Sequence, residues 1–235
     1  MDDYYDDDYS RYVSAAERKG QAAKQLENMR RKGEEPEPVT VTARNIAKTF
    51  WGQAWNRHIE SFQDYASRLP RGRSYLRQGA VVDLKIGEGE IRAQVLGSEL
   101  YQVHIRIDKL EPERWTAIRK ACAGRISSLI DLLQGKLSPE IIAVLCEPDT
   151  GLFPASDEIK LICDCPDWAD LCKHLAAVLY GVGARLDEKP ELFFLLRGVD
   201  RRELLEADWS ENVQGETTLD SEDLGGMFGI ELDQL

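Results

Sequence analysis

With 235 residues, 43% of them hydrophobic and 31% charged, the chain can build one compact domain with tails and stay in solution. Residues 1–42 carry 7 Lys and Arg against 10 Asp and Glu, residues 43–183 carry 18 against 18, and residues 184–235 carry 5 against 14. A neutral middle between acidic ends excludes the polybasic footprint of a strong non-specific DNA binder, though not a local basic patch.

No run reaches the ~20 apolar residues of a membrane span. The Asp-rich opening, residues 1–8, is the opposite of a secretory signal. A cytoplasmic protein with no membrane partner is therefore expected. The five cysteines, Cys122, Cys146, Cys163, Cys165 and Cys172, point to metal ligands or free thiols and away from a disulfide framework.

In chain order, residues 1–38 read as a disordered acidic arm and linker. Residues 1–10 are Asp and Tyr repeats. Residues 11–32 contain good helix formers, but Val13, Leu26 and Met29 are the only larger apolar side chains, so helicity without a partner is marginal. Gly33 and the Pro-Glu stretch to Pro38 have linker composition, and the folded part is expected from Val39. Over 46–69, Ala47, Phe50, Trp51, Ala54, Trp55, His58, Ile59 and Phe62 recur every three or four positions and predict an amphipathic helix. Its aromatic stripe reads as core rather than a platform for stacking bases, and His58 reads as a packed histidine.

Beyond Pro70 the pattern changes to alternation. Val82, Leu84 and Ile86, then Ile91, Ala93 and Val95, then Tyr101, Val103, Ile105 and Ile107 predict three strands, with turns at 87–90 and 97–99 folding them into an antiparallel meander. His104 faces away from the apolar set. Trp115, Ile118, Cys122, Ile126, Leu129 and Leu133 predict one helix that ends at Gly135 and covers the sheet, with Cys122 on its buried stripe. Ser138 as N-cap with Pro139 in the first turn starts a short helix to about Cys146, read as a buried thiol. Residues 39–150 thus form an α+β domain.

Between Cys163 and His174 the chain reads Cys-Asp-Cys-Pro-Asp-Trp-Ala-Asp-Leu-Cys-Lys-His. A C-x-C pair followed by C-x-H supplies the four soft or borderline ligands of a closed tetrahedral zinc site. Ile159, Leu161, Cys163 and Cys165 alternate as in a strand, so both sulfurs point to one side of a hairpin end closed by Pro166 and Asp167. Leu171, Leu175, Val178, Leu179 and Val182 fit a helix with Asp170 as N-cap and its end at Gly181 or Gly183. Residues two apart lie about 200° around a helix, so Cys172 and His174 can share an ion only at the opening turn. A fully liganded ion has no open position for a substrate, which argues for a structural metal. The competing reading is a thiol-redox or zinc-sensing pair at Cys163 and Cys165.

The pattern C-x-C-x(6)-C-x-H on strand, turn and helix resembles the SWIM zinc finger, and Cys163, Cys165, Cys172 and His174 match its ligand positions one by one. Ala47 to Trp55, Arg71 to Tyr75 with Gly79, Val95 to Ser98 with Tyr101 to Val103, and 196–205 resemble the flanks of the finger in bacterial SWIM proteins. The resemblance covers roughly residues 43–206. It implies a ββα finger with following helices over 151–206, zinc as cofactor, and a role as an accessory protein to Swi/Snf-type ATPases, with protein or nucleic-acid binding by the finger. Arg68, Arg71, Arg73 and Arg77, with Lys173, are the candidate contacts to DNA or RNA. The bland alternative is pairing with Asp64, Asp83 or other acids. Residues 207–235 read as an acidic tail whose apolar close, 224–232, is a candidate docking peptide. No phosphate-cradling loop and no catalytic pair are visible from spacing, so a non-enzymatic interaction module is expected.

Overall fold

The structure, a computed structural model, describes residues 14–42, 44–62, 68–167 and 169–206. The acidic stretch 1–10 and the tail from 207, with its candidate docking peptide, lie outside the described residues.

The three alternating segments form strands β1 (Val81–Gly87), β2 (Glu90–Leu96) and β3 (Leu100–Ile107), paired antiparallel in sequence order. A fourth strand, β4 (Ile159–Cys163), pairs antiparallel with β3. The ligand-bearing strand is thus the edge of the main sheet, where the spacing alone predicts a separate hairpin. Register aligns the apolar sets into rows across one face: Ile86, Ile91, Ile105 and Leu161 in one, Leu84, Ala93, Val103 and Cys163 in the next. The alternation that predicts each strand also fixes which way Cys163 faces, since a one-residue slip would turn every side chain over.

The inner face is covered by helix α7 (Lys173–Glu188), buried almost without interruption from His174 to Gly183 and flanked by α2 (Phe50–Ser61) and α3 (Leu69–Arg77). Both indoles of α2 are fully buried and satisfied: Trp51 Nε1 donates to the Leu132 carbonyl at 2.9 Å and Trp55 Nε1 to the Leu179 carbonyl at 2.8 Å. The α7 helix does not stop at Gly181 or Gly183. A Cβ at Gly183 would collide with the Asn56 side chain and one at Gly181 with Leu84, so these glycines serve close approach and not termination. The Asp187 carboxylate, one turn beyond, accepts from the backbone N–H groups of Lys48 at 2.6 Å and Thr49 at 3.0 Å, which fixes the entry to α2.

Where the periodicity of 115–133 predicts one covering helix, there are two: α4 (Pro112–Cys122) and α5 (Leu129–Gln134), with Gly124 between them at φ 65°. They pack around the margin, because α7 already occupies the sheet. Cys122 is buried as expected, whereas Cys146, closing α6 (Pro139–Cys146), is half-buried. Helices α8 (Glu191–Leu196) and α9 (Glu203–Glu206) complete the described fold. None of the described helices is long and apolar enough to cross a membrane.

The folded part begins well before Val39. Helix α1 (Ala15–Arg31) opens with a capping box between Ser14 and Glu17. Its Ala22 and Met29 pack on Val82, with Leu26, Leu96 and Leu100 around them, on the sheet face opposite α7. The partner that an isolated helix needs is therefore the outer face of the sheet. The stretch after α1 is no free linker either. Val39 N–H donates to the Val81 carbonyl at 3.1 Å and Leu84 N–H to the Glu37 carbonyl at 3.0 Å, so these residues cover the open edge of β1.

Candidate metal centre

Strand β4 delivers the first ligand, Cys163, opposite Val103 on the inward face. The next residue extends the pairing: Asp164 N–H donates to the Gln102 carbonyl at 3.3 Å, and Gln102 N–H donates back to Asp164 Oδ1 at 2.9 Å. This double tie keeps the backbone extended past the strand, so Cys165 follows Cys163 on the same side. Asp167 Oδ1 then accepts from the Ala169 N–H at 3.3 Å, ahead of the two ligands that open α7.

The other two ligands open α7. Cys172, not Asp170, is the N-cap, with φ −81° and ψ 169°, and its Sγ accepts from the Leu175 N–H at 3.4 Å. The sulfur takes the place of the usual oxygen, at the helix end where exposed N–H groups favour negative charge. His174 follows in the first turn, so the pair meets at the helix opening, as the 200° offset requires.

The four donor atoms all lie within 4.8 Å of one another. His174 Nδ1 is 3.9 Å from both Cys163 Sγ and Cys172 Sγ. A tetrahedral ion with metal–sulfur bonds of ~2.3 Å separates neighbouring donors by ~3.8 Å. The residues present therefore fit one metal ion, and the set of three sulfurs and an imidazole suits a soft or borderline cation. Cys172 and His174 are buried, Cys163 and Cys165 half-buried. Without the ion the thiols are unequal. A hydrogen bond from Cys163 holds the Cys172 thiol down at about 4, and donating that bond pushes Cys163 up; burial raises Cys165.

The imidazole is held by rings. Tyr101 stacks on His174 at 4.5 Å and Tyr75 meets it edge-on at 5.6 Å. Nε2, the nitrogen facing away from the sulfurs, is buried with no hydrogen-bond partner among the described residues. It rests against Gly97, where an added Cβ would come within 2.7 Å of it. By spacing alone Gly97 is a turn residue and Tyr101 a strand residue. Their role at the site depends on the β2–β3 turn reaching α7, which no local pattern reveals.

The candidate phosphate-contacting cations fall on two flanks of α3. Arg68 pairs with Asp167 of the ligand loop at 3.4 Å. The Arg71 side chain is exposed with no partner among the described residues. On this flank Lys173 Nζ lies 5.5 Å and the Arg18 guanidinium 4.6 Å from the centre of the Tyr75 ring. Arg18, on α1, escapes the sequence patterns because nothing local ties α1 to α3. On the other flank Arg73 pairs with Glu60 at 3.3 Å, and Arg77 donates to the Arg44 carbonyl at 2.7 Å. Asp83 pairs with Lys85 at 3.6 Å instead of an α3 arginine, and Asp64 lies outside the described residues. His58 is a packed histidine, its Nε2 2.7 Å from the Pro154 carbonyl. His104, on the outer face, lies 3.1 Å from Glu90.

No family model matches the chain. No solved structure matches it either. It is similar to an uncharacterized protein of Mycobacterium tuberculosis, with 34% identity over 179 residues. That match spans 72% of this chain and 64% of the relative's length.

Proposed function

We propose that this chain is a zinc-stapled SWIM-type interaction module that performs no reaction itself and works as an accessory to a Swi/Snf-type ATPase. The observation that carries the reading is the convergence of Cys163, Cys165, Cys172 and His174 from a strand edge and a helix N-terminus onto one point. Zinc bound there has all four positions filled by protein, so its contribution is shape. It locks the start of α7, the central helix, to the edge of the sheet. With three thiolates and one zinc(II) the centre carries a net charge of −1.

The face held by this staple supports a binding role. Arg18 and Lys173 lie over the Tyr75 ring, and the exposed Arg71 precedes Tyr75 by four residues on the same side of α3, a grouping suited to an anionic partner segment or a nucleic-acid backbone.

The test is removal of the metal. Binding energy of roughly 10 kcal/mol or more accompanies small structural zinc sites, so chelation or Cys163→Ser should unfold at least residues 159–188, read by circular dichroism and protease sensitivity. Unchanged dichroism and protease resistance after complete metal loss would overturn the structural role. Capture of a Swi/Snf-type ATPase by the wild type and not by Cys163→Ser is expected; capture by neither removes that partner. The redox reading requires reversible zinc release under mild oxidant, and stoichiometric retention counts against it.

A further inference from the structure

The flank of α3 turned away from the ligand loop borders a second feature. Helices α2 and α3, with residues 44–47, border an open surface cavity of about 350 Å³. Arg44, Arg57, Arg73 and Arg77 line it together with Glu60 and the Tyr180 hydroxyl, and among the described residues Glu60 supplies its only carboxylate. Among the described residues four guanidinium groups thus face one acid, in a chain whose formal net charge is −12 and whose middle is neutral. The acid is already engaged: Glu60 Oε1 accepts from Arg73 at 3.3 Å and from the Tyr180 hydroxyl at 2.7 Å. Arg77 is committed in part, through one bond to the Arg44 carbonyl that ties the 44–47 turn to α3. The guanidinium groups of Arg44 and Arg57 are exposed and make no hydrogen bond among the described residues.

Arg73 and Arg77 are four residues apart and share one side of α3, and each lies about 200° from Arg71 and Tyr75 respectively on the side of the metal centre. The cavity is therefore separate from that centre. Like charges gathered around a concave surface repel one another, and a bound anion removes that cost. The guanidinium fork matches the oxygens of phosphate bidentately. A phosphomonoester, carrying about −1.5 to −2 at neutral pH, balances the local excess better than a single carboxylate. The volume is within the range of small-ligand pockets, so it takes a phosphoryl group with a body attached.

We propose that this cavity binds a phosphate-bearing ligand through Arg44, Arg57, Arg73 and Arg77. The phosphoryl group comes either from a free small molecule or from a nucleic-acid strand, and the experiment separates the two. Calorimetric titrations of the full metal-loaded chain use pyrophosphate, adenosine 5′-monophosphate and a 12-nucleotide single strand without terminal phosphate. They are repeated with Arg44→Gln, Arg57→Gln and, as control, Arg106→Gln on the exposed outer face of β3.

At least one probe is expected to bind, with affinity at least tenfold weaker in Arg44→Gln and in Arg57→Gln and unchanged in Arg106→Gln. Binding of pyrophosphate or the mononucleotide assigns a small-molecule ligand, and binding of the strand alone assigns nucleic acid. Absence of binding by all three probes, or equal loss in the control, overturns the proposal. The Arg44 and Arg57 side chains make no hydrogen bond or ion pair among the described residues, and the Arg44 carbonyl that accepts from Arg77 is kept in Arg44→Gln, so these variants are expected to fold, and their metal content reports on the zinc site independently.

Discussion

Gly97 shows how a single hydrogen can set the geometry of a metal site. The His174 ring lies between Tyr101 and Tyr75 with Nε2 against Gly97, so Nδ1 is aimed at the sulfurs by packing and not by a hydrogen-bonded second partner. Outer-shell groups that orient a ligating histidine typically contribute 10- to 100-fold in metal affinity. Gly97→Ala is therefore expected to weaken metal binding by about tenfold or more, measured by competition with a chromophoric chelator, while the chain still folds at saturating metal. Unchanged affinity would show that the ring does not depend on this contact.

His58 tests the same scale through pH. Burial lowers its pKa below the ordinary 6.5, against the opposing hydrogen bond at the Pro154 carbonyl and with help from Arg197 and Arg114. The fold thus prefers the neutral ring, and below pH 6.5 the unfolded chain binds more protons than the folded one. Stability from this group is present above about pH 6.5 and is lost as the pH falls. Urea titrations from pH 7.5 to 5.5 are expected to show declining stability with a shallower slope in His58→Gln. Protonation of the metal ligands is common to both proteins, so parallel slopes would remove the His58 contribution.

At the scale of elements, strands were the most legible feature and helix limits the least. Alternation in 82–107 specifies three strands and their inward faces, because burial of one sheet face repeats every second residue. The same alternation places Cys163 and Cys165, but not their membership of the main sheet, since the β3–β4 pairing spans more than fifty residues of intervening chain. Gly181 and Gly183 look like stops only until the helices that approach them are known.

Helix α1 was legible only as a marginal helix, for a related reason. Ala22, Leu26 and Met29 fall at i, i+4 and i+7, a stripe too thin to predict a stable helix without Val82, Leu96 and Leu100 beneath it. Met29 is 2% exposed, and Met29→Ala should cost ~2–3 kcal/mol of docking energy. Hydrogen exchange is expected to show 15–31 losing protection while α7 and the sheet keep theirs. Equal loss everywhere would mean that α1 belongs to one cooperative unit with the core.

For the whole molecule, the ligand set was legible because its four residues lie within twelve positions and need only a strand, a turn and a helix start to meet. The surroundings were not, because Gly97, Tyr101, Tyr75 and Arg18 reach the site from three other parts of the chain. The ion would join the sheet edge to α7, against which α2, α3 and the sheet all pack. A disturbance at the metal centre is thereby carried into the core. X-ray absorption at the zinc edge on the purified chain measures the centre most directly. One equivalent of zinc with three sulfurs at ~2.3 Å and one nitrogen at ~2.0 Å is the expected result. A chain purified without zinc, or zinc surrounded by oxygen and nitrogen alone, would contradict it.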